Sequence, residues 1–370
     1  MLAISSIVFD PMKKKLPLIL INAIVFISLF IIFDMLLSNF YIKSHKKICF
    51  DIEENFYKLK KNCETIQQFY YTLPSVKVLT NKFGHRTNKN IKNTKKKIFF
   101  FGDSFTYGVG VNYDDSFVGI VDNKVKDYEM FNFAVPSYSP SLYLYQLNEM
   151  LNQEIIPDKI FIVLDLSDVH DESFRWMGSS NYKPILKSGK YKKEQTGLKK
   201  FINKNFQVSR IFAAFVNRTN RNLKYKIITT VMKSKYIIDS TIQTNFTYVK
   251  PENLNNKWLK PGKFKEGLNT IDDKLHQISD LVKNYNIDKY ILIYPWPETL
   301  EYGQENFNWE NFARDIAKKY DFILINMFPS LNKIKKNNRD WYNKLYFIKD
   351  AHFNKRGHKI IGNYIVDNIF

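Results

Sequence analysis

The sequence is poor in cysteine, with only Cys49 and Cys63 among its 370 residues. Two cysteines do not make the framework of a disulfide-rich domain, and their spacing fits no zinc-binding pattern. On one continuous helix they would lie about 21 Å apart, too far for a bridge, whereas a hairpin between them would permit one. We expect no disulfide, no metal site and no cofactor.

Signatures of nucleic-acid binding are also missing. We find no helix-turn-helix, zinc-finger or RNA-binding pattern, no internal repeat and no low-complexity linker. Lysine and arginine outnumber the acidic residues by 56 to 36, which gives a formal net charge of +20. Because the lysines are scattered, we expect no nucleic-acid partner and favour a cell-envelope protein close to anionic lipid or glycan. Nucleic-acid binding through charge alone ranks last among the alternatives.

A long apolar run is present at residues 16–37, preceded by lysines at 13–15. It can cross a bilayer of about 30 Å as a helix. No small-residue cleavage site follows, which favours an uncleaved single-pass anchor in the cytoplasmic membrane over a signal peptide. We predict a short cytoplasmic tail (1–15), a transmembrane anchor (16–37), a juxtamembrane helical segment and loop (38–90), and a catalytic domain (91–370) facing the periplasm or exterior.

Short apolar runs alternate with helical patterns along the rest of the chain. The β-rich runs lie at 98–101, 130–133, 160–164, 290–294 and 322–325, and the helical patterns at 142–151, 271–283, 309–319 and 355–369. Continuous apolar runs of this length are typical of strands buried on both faces of a parallel sheet. We therefore predict an α/β fold with three α/β/α layers.

The stretch at 173–267 interrupts this alternation. It is long, basic and aromatic, with helical patterns only at 211–216 and 225–232. We interpret it as an insertion near the carboxyl edge of the sheet. It is either a lid or substrate surface, or an outer layer without specificity.

The strongest local motif is Gly102-Asp103-Ser104, directly after the first predicted strand. A serine at this place can project its hydroxyl above the carboxyl edge of the sheet, where open α/β sheets carry their sites. The helix that follows would direct backbone N–H groups at a developing oxyanion. Without a base elsewhere, the same residues would make an ordinary helix cap.

A base and an orienting acid occur near the other end of the chain, in Asp350-Ala351-His352. Residues two apart in an extended loop face the same way, so Asp350 can accept a hydrogen bond from Nδ1 of His352. That arrangement leaves Nε2 of His352 for Ser104. Asn354 fits the cap of a last helix. The alternative for His352 is a surface histidine.

Together these motifs resemble the SGNH/GDSL hydrolase superfamily in kind and in order, from about Asn81 onwards. The resemblance implies a flavodoxin-like parallel sheet, with Ser104 as the nucleophile, His352 as the general base and Asp350 as its orienting acid. The superfamily usually spaces acid and base as Asp-x-x-His. The shorter Asp-x-His spacing of this chain is similar to that of the branch that includes alginate O-acetylation proteins. The resemblance therefore implies acyl transfer as well as hydrolysis.

Two further stretches match the superfamily less closely. Residues 132–138 resemble its second block, with Ser137 in place of an oxyanion-hole glycine whose backbone N–H is retained. Residues 165–172 resemble the third block, with Ser167 in place of an oxyanion asparagine. Loss of such a donor costs about 100- to 1000-fold in rate. Asp168 beside it either acts at the site, for example by a hydrogen bond to the nucleophile loop, or has a structural role.

Trp296 follows the fourth predicted strand, within Tyr294-Pro295-Trp296-Pro297. Its ring either stacks on a sugar of the substrate or lies in the core beneath a rigid, proline-rich turn. The motif that ends at Arg86, Phe-Gly-His-Arg, resembles one of membrane-linked superfamily members. We assign Arg86 no role from the sequence.

Two functions from different classes follow. The first is acyl-ester hydrolysis or O-acyl (acetyl) transfer on a cell-envelope or extracellular glycan, and transfer would need a membrane partner that donates the acyl group. The second is a non-catalytic glycan-binding or assembly protein on a degenerate SGNH scaffold. The altered residues Ser137 and Ser167 motivate the second function.

Overall fold

The structure is a computed structural model that describes residues 10–42, 49–53, 55–69, 73–89, 96–178, 182–187, 205–206, 261–304, 307–348 and 350–370. The chain divides into two units. The first comprises Met1–Lys47 and Lys193–Lys235, and the second comprises Ile48–Lys192 and Tyr236–Phe370.

The first unit contains one long helix, α1 (Asp10–Leu36), which continues into a π-helical turn at Leu37–Ile42. Its segment Leu20–Asn39 is long and apolar enough to cross a membrane, and only 6% of it is buried. A membrane anchor and a signal sequence both have these properties. The hydroxyl of Ser38 donates to Asp34 Oδ1 at 2.8 Å, which satisfies the one acidic side chain within the segment.

The elements of the second unit are, in chain order, β1 (Phe50–Ile52), β2 (Tyr57–Leu59), β3 (Glu64–Gln67), β4 (Val76–Leu79), β5 (Lys96–Phe101), α2 (Ser104–Tyr107), a 3₁₀ turn (Tyr113–Asp115), α3 (Phe117–Lys124), β6 (Tyr128–Asn132), α4 (Pro140–Leu151), β7 (Lys159–Leu164), α5 (Leu166–His170), a π-helical turn (Asp171–Arg175), β8 (Trp176–Gly178), β9 (Pro184–Leu186), α6 (Pro261–Val282), β10 (Asp288–Ile293), α7 (Pro297–Tyr302), α8 (Trp309–Lys319), β11 (Ile323–Asn326), α9 (Phe328–Asn337), α10 (Trp341–Leu345) and α11 (Lys355–Ile369).

Five of these strands form one parallel sheet in the order β11-β10-β7-β5-β6. The chain starts near the middle with β5, adds β6 on one side and then the other three strands on the opposite side. All five predicted strands are present within two residues of their predicted bounds, as are the helices at 140–151, 309–319 and 355–369. The predicted three-layer α/β/α fold is confirmed.

Side chains alternate between the two faces of this sheet, because successive residues of a strand point in opposite directions. Phe99 and Phe101 of β5 belong to one core, which the helices α4, α6 and α8 cover. Ile98 and Phe100 belong to a second core, which α3, α9, α10 and α11 cover. Helices therefore cover both faces of the sheet, and the edge at the carboxyl ends of the strands is where a site is expected.

In the described part of the juxtamembrane segment at 38–90, helix is absent beyond the turn that ends at Ile42, contrary to the prediction. It forms two antiparallel hairpins, β1–β2 and β3–β4. The period of the side chains explains this error, because Val76 and Val78 are buried while Lys77 between them is exposed. Asn62 between the hairpins has φ of 48°, a backbone state that ends helices.

Cys49 and Cys63 form a disulfide, contrary to our expectation of none. Their Cα atoms lie 5.6 Å apart because the β1–β2 hairpin folds the intervening residues back on themselves. Of the two alternatives that the sequence left open, the hairpin that permits a bridge is present, and the continuous helix is not.

The predicted insertion at 173–267 is described only in part. The short hairpin β8–β9 lies at its beginning. The helix α6 starts at Pro261, ten residues before the helical pattern that predicted it. The patterns at 211–216 and 225–232 lie outside the described residues.

Candidate active site

The nucleophile turn follows β5 directly. Asp103 caps the short helix α2 by accepting a hydrogen bond from Phe105 N at 2.9 Å. The turn ends at Gly108, whose φ of 81° is left-handed and where a Cβ would lie 2.8 Å from Ser116 Cβ. These two constraints hold Ser104, the first residue of α2, at the carboxyl edge of the sheet.

Arg86 stabilises the turn that carries Ser104. Its side chain is fully buried, and its guanidinium donates to the carbonyls of Tyr107 at 2.5 Å, Gly108 at 2.7 Å and Val111 at 2.6 Å. It also lies over the ring of Tyr107, 4.5 Å from the centroid. The sequence indicated no role for Arg86, because its partners are backbone carbonyls and these cannot be recognised from the identities of side chains.

The acid–base loop lies between α10 and α11. Asn354 Oδ1 caps α11 by accepting from Arg356 N at 2.9 Å and Gly357 N at 3.1 Å. Within the loop, Phe347 N donates to the carbonyl of His352 at 2.9 Å. The loop is thus closed on itself, which fixes the main chain that carries Asp350 and His352.

Ser104, His352 and Asp350 form one hydrogen-bonded chain. His352 Nε2 lies 2.8 Å from Ser104 Oγ, and His352 Nδ1 lies 2.5 Å from Asp350 Oδ1. The backbone N–H of His352 donates to the same carboxylate oxygen at 2.9 Å. With Nδ1 protonated toward Asp350, Nε2 is free to accept the proton of the serine hydroxyl.

The imidazole of His352 is buried against Phe105, with 4.7 Å between ring centroids. Burial alone would lower its pKa, but the charges of Asp350, Asp103 and Asp165 outweigh burial and raise the pKa above the usual 6.5. The charged imidazolium that forms when Ser104 gives up its proton is therefore stabilised.

Two backbone N–H groups are free to act as oxyanion donors. No described residue accepts a hydrogen bond from the N–H of Ser104 or of Ser137. Ser137 has φ of 62°, the left-handed backbone that glycine adopts most easily, as expected for a residue in place of a glycine. Its loop is held against the nucleophile turn by a hydrogen bond from Val135 N to Gly102 O at 3.2 Å.

The hydroxyl of Ser167 is engaged elsewhere. It lies 2.6 Å from Asp165 Oδ1 and 3.3 Å from Asp103 Oδ2. Asp168 accepts from Asp165 N at 2.9 Å and from Tyr143 OH at 3.1 Å, so it completes the capping box of α5. These contacts of Asp168 fit the structural role that the sequence left open.

Four carboxyl groups surround the serine and its base: Asp103, Asp165, Asp168 and Asp350. Burial, together with the charge of Asp165, raises the pKa of Asp103 to about 7. Burial also raises the pKa of Asp165, and that of Asp168 well above its usual value. Burial thus disfavours the charged forms of these three carboxyl groups and opposes a build-up of negative charge beside the serine.

Trp296 lies inside the protein, with 6% of its surface exposed. Its ring packs 5.7 Å from that of Phe105, which in turn stacks on His352. This position fits the core alternative for Trp296 rather than stacking on a sugar.

Comparison with solved structures finds proteins of similar fold. The chain resembles lipolytic proteins of the G-D-S-L family. One such protein, from Veillonella parvula, has a TM-score of 0.40 and 11% identity over 74% of this chain and 97% of its own. An acetyl xylan esterase, AlAXEase, has a TM-score of 0.42 and 14% identity over 74% and 100%. The esterase EstA from Pseudoalteromonas has a TM-score of 0.35 and 13% identity over 74% and 97%.

No protein-family profile matches the sequence, and no curated protein sequence matches it. At the identities and TM-scores above, the solved structures carry no argument about what this chain does. Its own strand order and side-chain geometry carry that argument instead.

Proposed function

We propose that this chain is a membrane-anchored serine hydrolase that cleaves an acyl ester through Ser104, His352 and Asp350. The observation that carries the proposal is the 2.8 Å contact between Ser104 Oγ and His352 Nε2, across 248 residues of sequence. A hydroxyl, an imidazole and a carboxylate aligned in this way are the arrangement that activates serine for attack on a carbonyl.

The reaction proceeds in two steps on this geometry. Ser104 Oγ bonds to the acyl carbon while its proton passes to His352 Nε2, and the ester C–O bond breaks as His352 returns that proton to the leaving alcohol. Water then attacks the acyl carbon while His352 takes one of its protons. The bond between that carbon and Ser104 Oγ breaks, His352 returns the proton to Ser104 Oγ, and the acid leaves. The N–H groups of Ser104 and Ser137 are our candidates for stabilising the oxyanion in both steps.

The proposed location is the cytoplasmic membrane, with the catalytic unit in the periplasm or exterior. Helix α1 supplies the anchor in this proposal. The Cys49–Cys63 disulfide supports export of the second unit, because disulfides persist in oxidising compartments and are rare in the cytosol. An acetylated envelope glycan is the proposed substrate, consistent with the anchor and the basic, aromatic-rich chain.

Labelling with a fluorophosphonate probe tests the proposal directly. Full-length protein in detergent micelles should be labelled, and the Ser104→Ala variant should not be. Ser279→Ala, which removes a serine remote from the site, is the matched control and should be labelled like the wild type. Circular dichroism should show equal thermal unfolding for all three proteins. Absence of labelling in folded wild-type protein would reject the hydrolase.

O-acetyl transfer is the finer alternative within the same chemistry. A sugar hydroxyl would replace water in the second step, and a membrane partner would donate the acetyl group. Supplying p-nitrophenyl acetate together with an oligosaccharide distinguishes the two outcomes. Acetylated oligosaccharide indicates transfer, and free acetate alone indicates hydrolysis.

A non-catalytic glycan-binding protein is the second candidate function. One observation favours it, namely that the Ser167 hydroxyl is bonded to Asp165 and is not directed at an oxyanion. This candidate replaces the first if the folded protein reacts neither with fluorophosphonate nor with p-nitrophenyl acetate.

A further inference from the structure

A cleft of about 570 Å³ lies outside the catalytic triad. The turns that follow β2 and β4 form one wall, helix α4 forms the other, and the loop after β6 closes the floor. Val135 and Tyr138 of that loop line the cleft, and Ser137 lies between them in sequence. A ligand in the cleft would therefore contact the loop that carries the proposed oxyanion donor.

Two buried polar atoms in this cleft lack partners. His85 is 7% exposed, and its Nδ1 makes no hydrogen bond with any described residue. Gln146 uses its Nε2 to donate to Phe133 O at 2.9 Å, while its buried Oε1 is likewise unpaired. Buried polar groups are nearly always satisfied in native proteins, by water or a ligand where protein partners are lacking, so these two atoms can take a bound hydroxyl group.

His85 offers hydrogen bonds without changing charge. Its ring lies on Phe133, with 4.1 Å between centroids, and burial together with the nearby Lys61 lowers its pKa to about 3. The imidazole is therefore neutral at physiological pH, with one nitrogen that donates and one that accepts. Gln146 Oε1 is an acceptor. The cleft thus presents the mixture of donors and acceptors that hydroxyl groups satisfy.

The rim and the walls add charge and apolar surface. Three lysines and two acidic residues line the cleft. Lys60 Nζ lies 4.0 Å from Asp51 Oδ1, and Lys58 Nζ lies 2.7 Å from Glu53 Oε1. Lys61 forms no ion pair with any residue that the structure describes. The half-buried side chains of Phe83 and Tyr145 also line the cleft.

We propose that this cleft binds an acidic saccharide unit of the glycan on which the triad acts. The sugar hydroxyls would pair with Gln146 and His85, its C–H face would pack on an aromatic ring, and its carboxylate would meet Lys61. The identity of the ligand as a substrate segment rests on the proposed function, whereas binding itself does not.

Calorimetric titration of the full chain in micelles of a non-sugar detergent tests the proposal, with tetragalacturonic acid as the probe and galactotetraose as its neutral counterpart. The acidic probe should bind more tightly. Lys61→Gln should weaken it about fivefold, and Gln146→Leu about three- to tenfold. Lys333→Gln, an exposed lysine outside the cleft, should leave the affinity unchanged.

The outcomes separate this proposal from the catalytic one. Ser104→Ala should bind the acidic probe like the wild type, because Ser104 does not line the cleft. Equal affinity for both probes, no binding, or binding indifferent to Lys61 and Gln146 overturns the cleft proposal even if the ester is cleaved. Binding without any ester cleavage leaves the cleft assignment standing and removes the hydrolase.

Discussion

The hydroxyl of Ser104 lies between two acceptors, His352 Nε2 at 2.8 Å and Asp103 Oδ2 at 3.0 Å. A neutral His352 accepts the serine proton, as catalysis requires. A protonated His352 donates to Ser104 instead, and the serine then donates to Asp103. The protonation state of one imidazole therefore decides the direction of the whole chain of hydrogen bonds.

The Asp350→Asn variant tests whether the protonation state of His352 controls the activity. In the wild type, kcat/KM should fall as pH drops through the pKa of His352, which lies above 6.5. Removing the Asp350 charge leaves burial to lower that pKa, so the acid limb of the profile should move to lower pH. The maximal rate should fall on the order of 10²- to 10⁴-fold, because the imidazole loses its orientation and charge support. An unmoved acid limb in the variant would contradict the assignment.

Ser137→Gly should keep activity and gain stability. Glycine adopts the left-handed backbone of Ser137 without strain, so the free energy of unfolding should rise by about 0.5–1 kcal/mol. The backbone N–H persists in the variant. Thermal denaturation and esterase assays of Ser137→Gly and Ser137→Ala provide the comparison. A large loss of activity in the glycine variant would show that the serine hydroxyl itself takes part.

At the scale of single residues, the sequence was informative where the interacting side chains are close together in the chain. Asp350 and His352 could be recognised because the residues are two apart and both side chains are polar. Asp103 and Asp165 were visible only as parts of motifs, since their contacts depend on the ends of β5 and β7 lying side by side. Arg86 could not be recognised, because its partners are backbone carbonyls.

The element that presents the nucleophile is the four-residue helix α2, too short to be stable alone. Its far end is fixed by the three carbonyl contacts of Arg86, which add to the burial of its four residues. Placing the nucleophile on so short an element makes its position depend on that guanidinium.

Arg86→Lys should reveal this dependence. An ammonium cannot reproduce the planar fork, and loss of a charged hydrogen bond in a buried place should cost about 2–3 kcal/mol of stability. We expect kcat to fall at least about tenfold with KM little changed, because Ser104 is displaced and the substrate contacts are not. Fluorophosphonate labelling rates and thermal unfolding measure the two effects. Arg314→Lys, at an exposed position of α8, is the control.

Secondary structure was predictable where strands are buried on both faces and failed where they are half-exposed. The strands of the central sheet read as continuous apolar runs such as Ile-Phe-Phe-Phe in β5. The strands β3 and β4 are only four residues long. Buried and exposed side chains alternate along β4, whereas exposed and half-buried side chains alternate along β3. Both are weak patterns in so short a window.

The whole molecule joins a membrane-length helix to a unit that contains a disulfide. We predict that a reporter fused after Phe370 is active only if it is a periplasmic type, such as alkaline phosphatase. A fluorescent protein that folds only in the cytoplasm should be dark in the same position. The reverse result would place the catalytic unit in the cytoplasm. Deleting residues 1–42 should release the protein from membranes without abolishing fluorophosphonate labelling.

The hairpin β1–β2 is joined by two hydrogen bonds to the loop after β6, which carries Ser137. Tyr57 OH donates to Pro136 O, and Tyr138 OH donates to Tyr57 O. The same hairpin is closed by the Cys49–Cys63 bridge. We expect a thiol reductant to slow the proposed ester cleavage before it unfolds the protein, because breaking the bridge loosens Tyr57 and with it the peptide that precedes Ser137. The rate of the proposed reaction would then depend on the redox state of the compartment that holds the second unit.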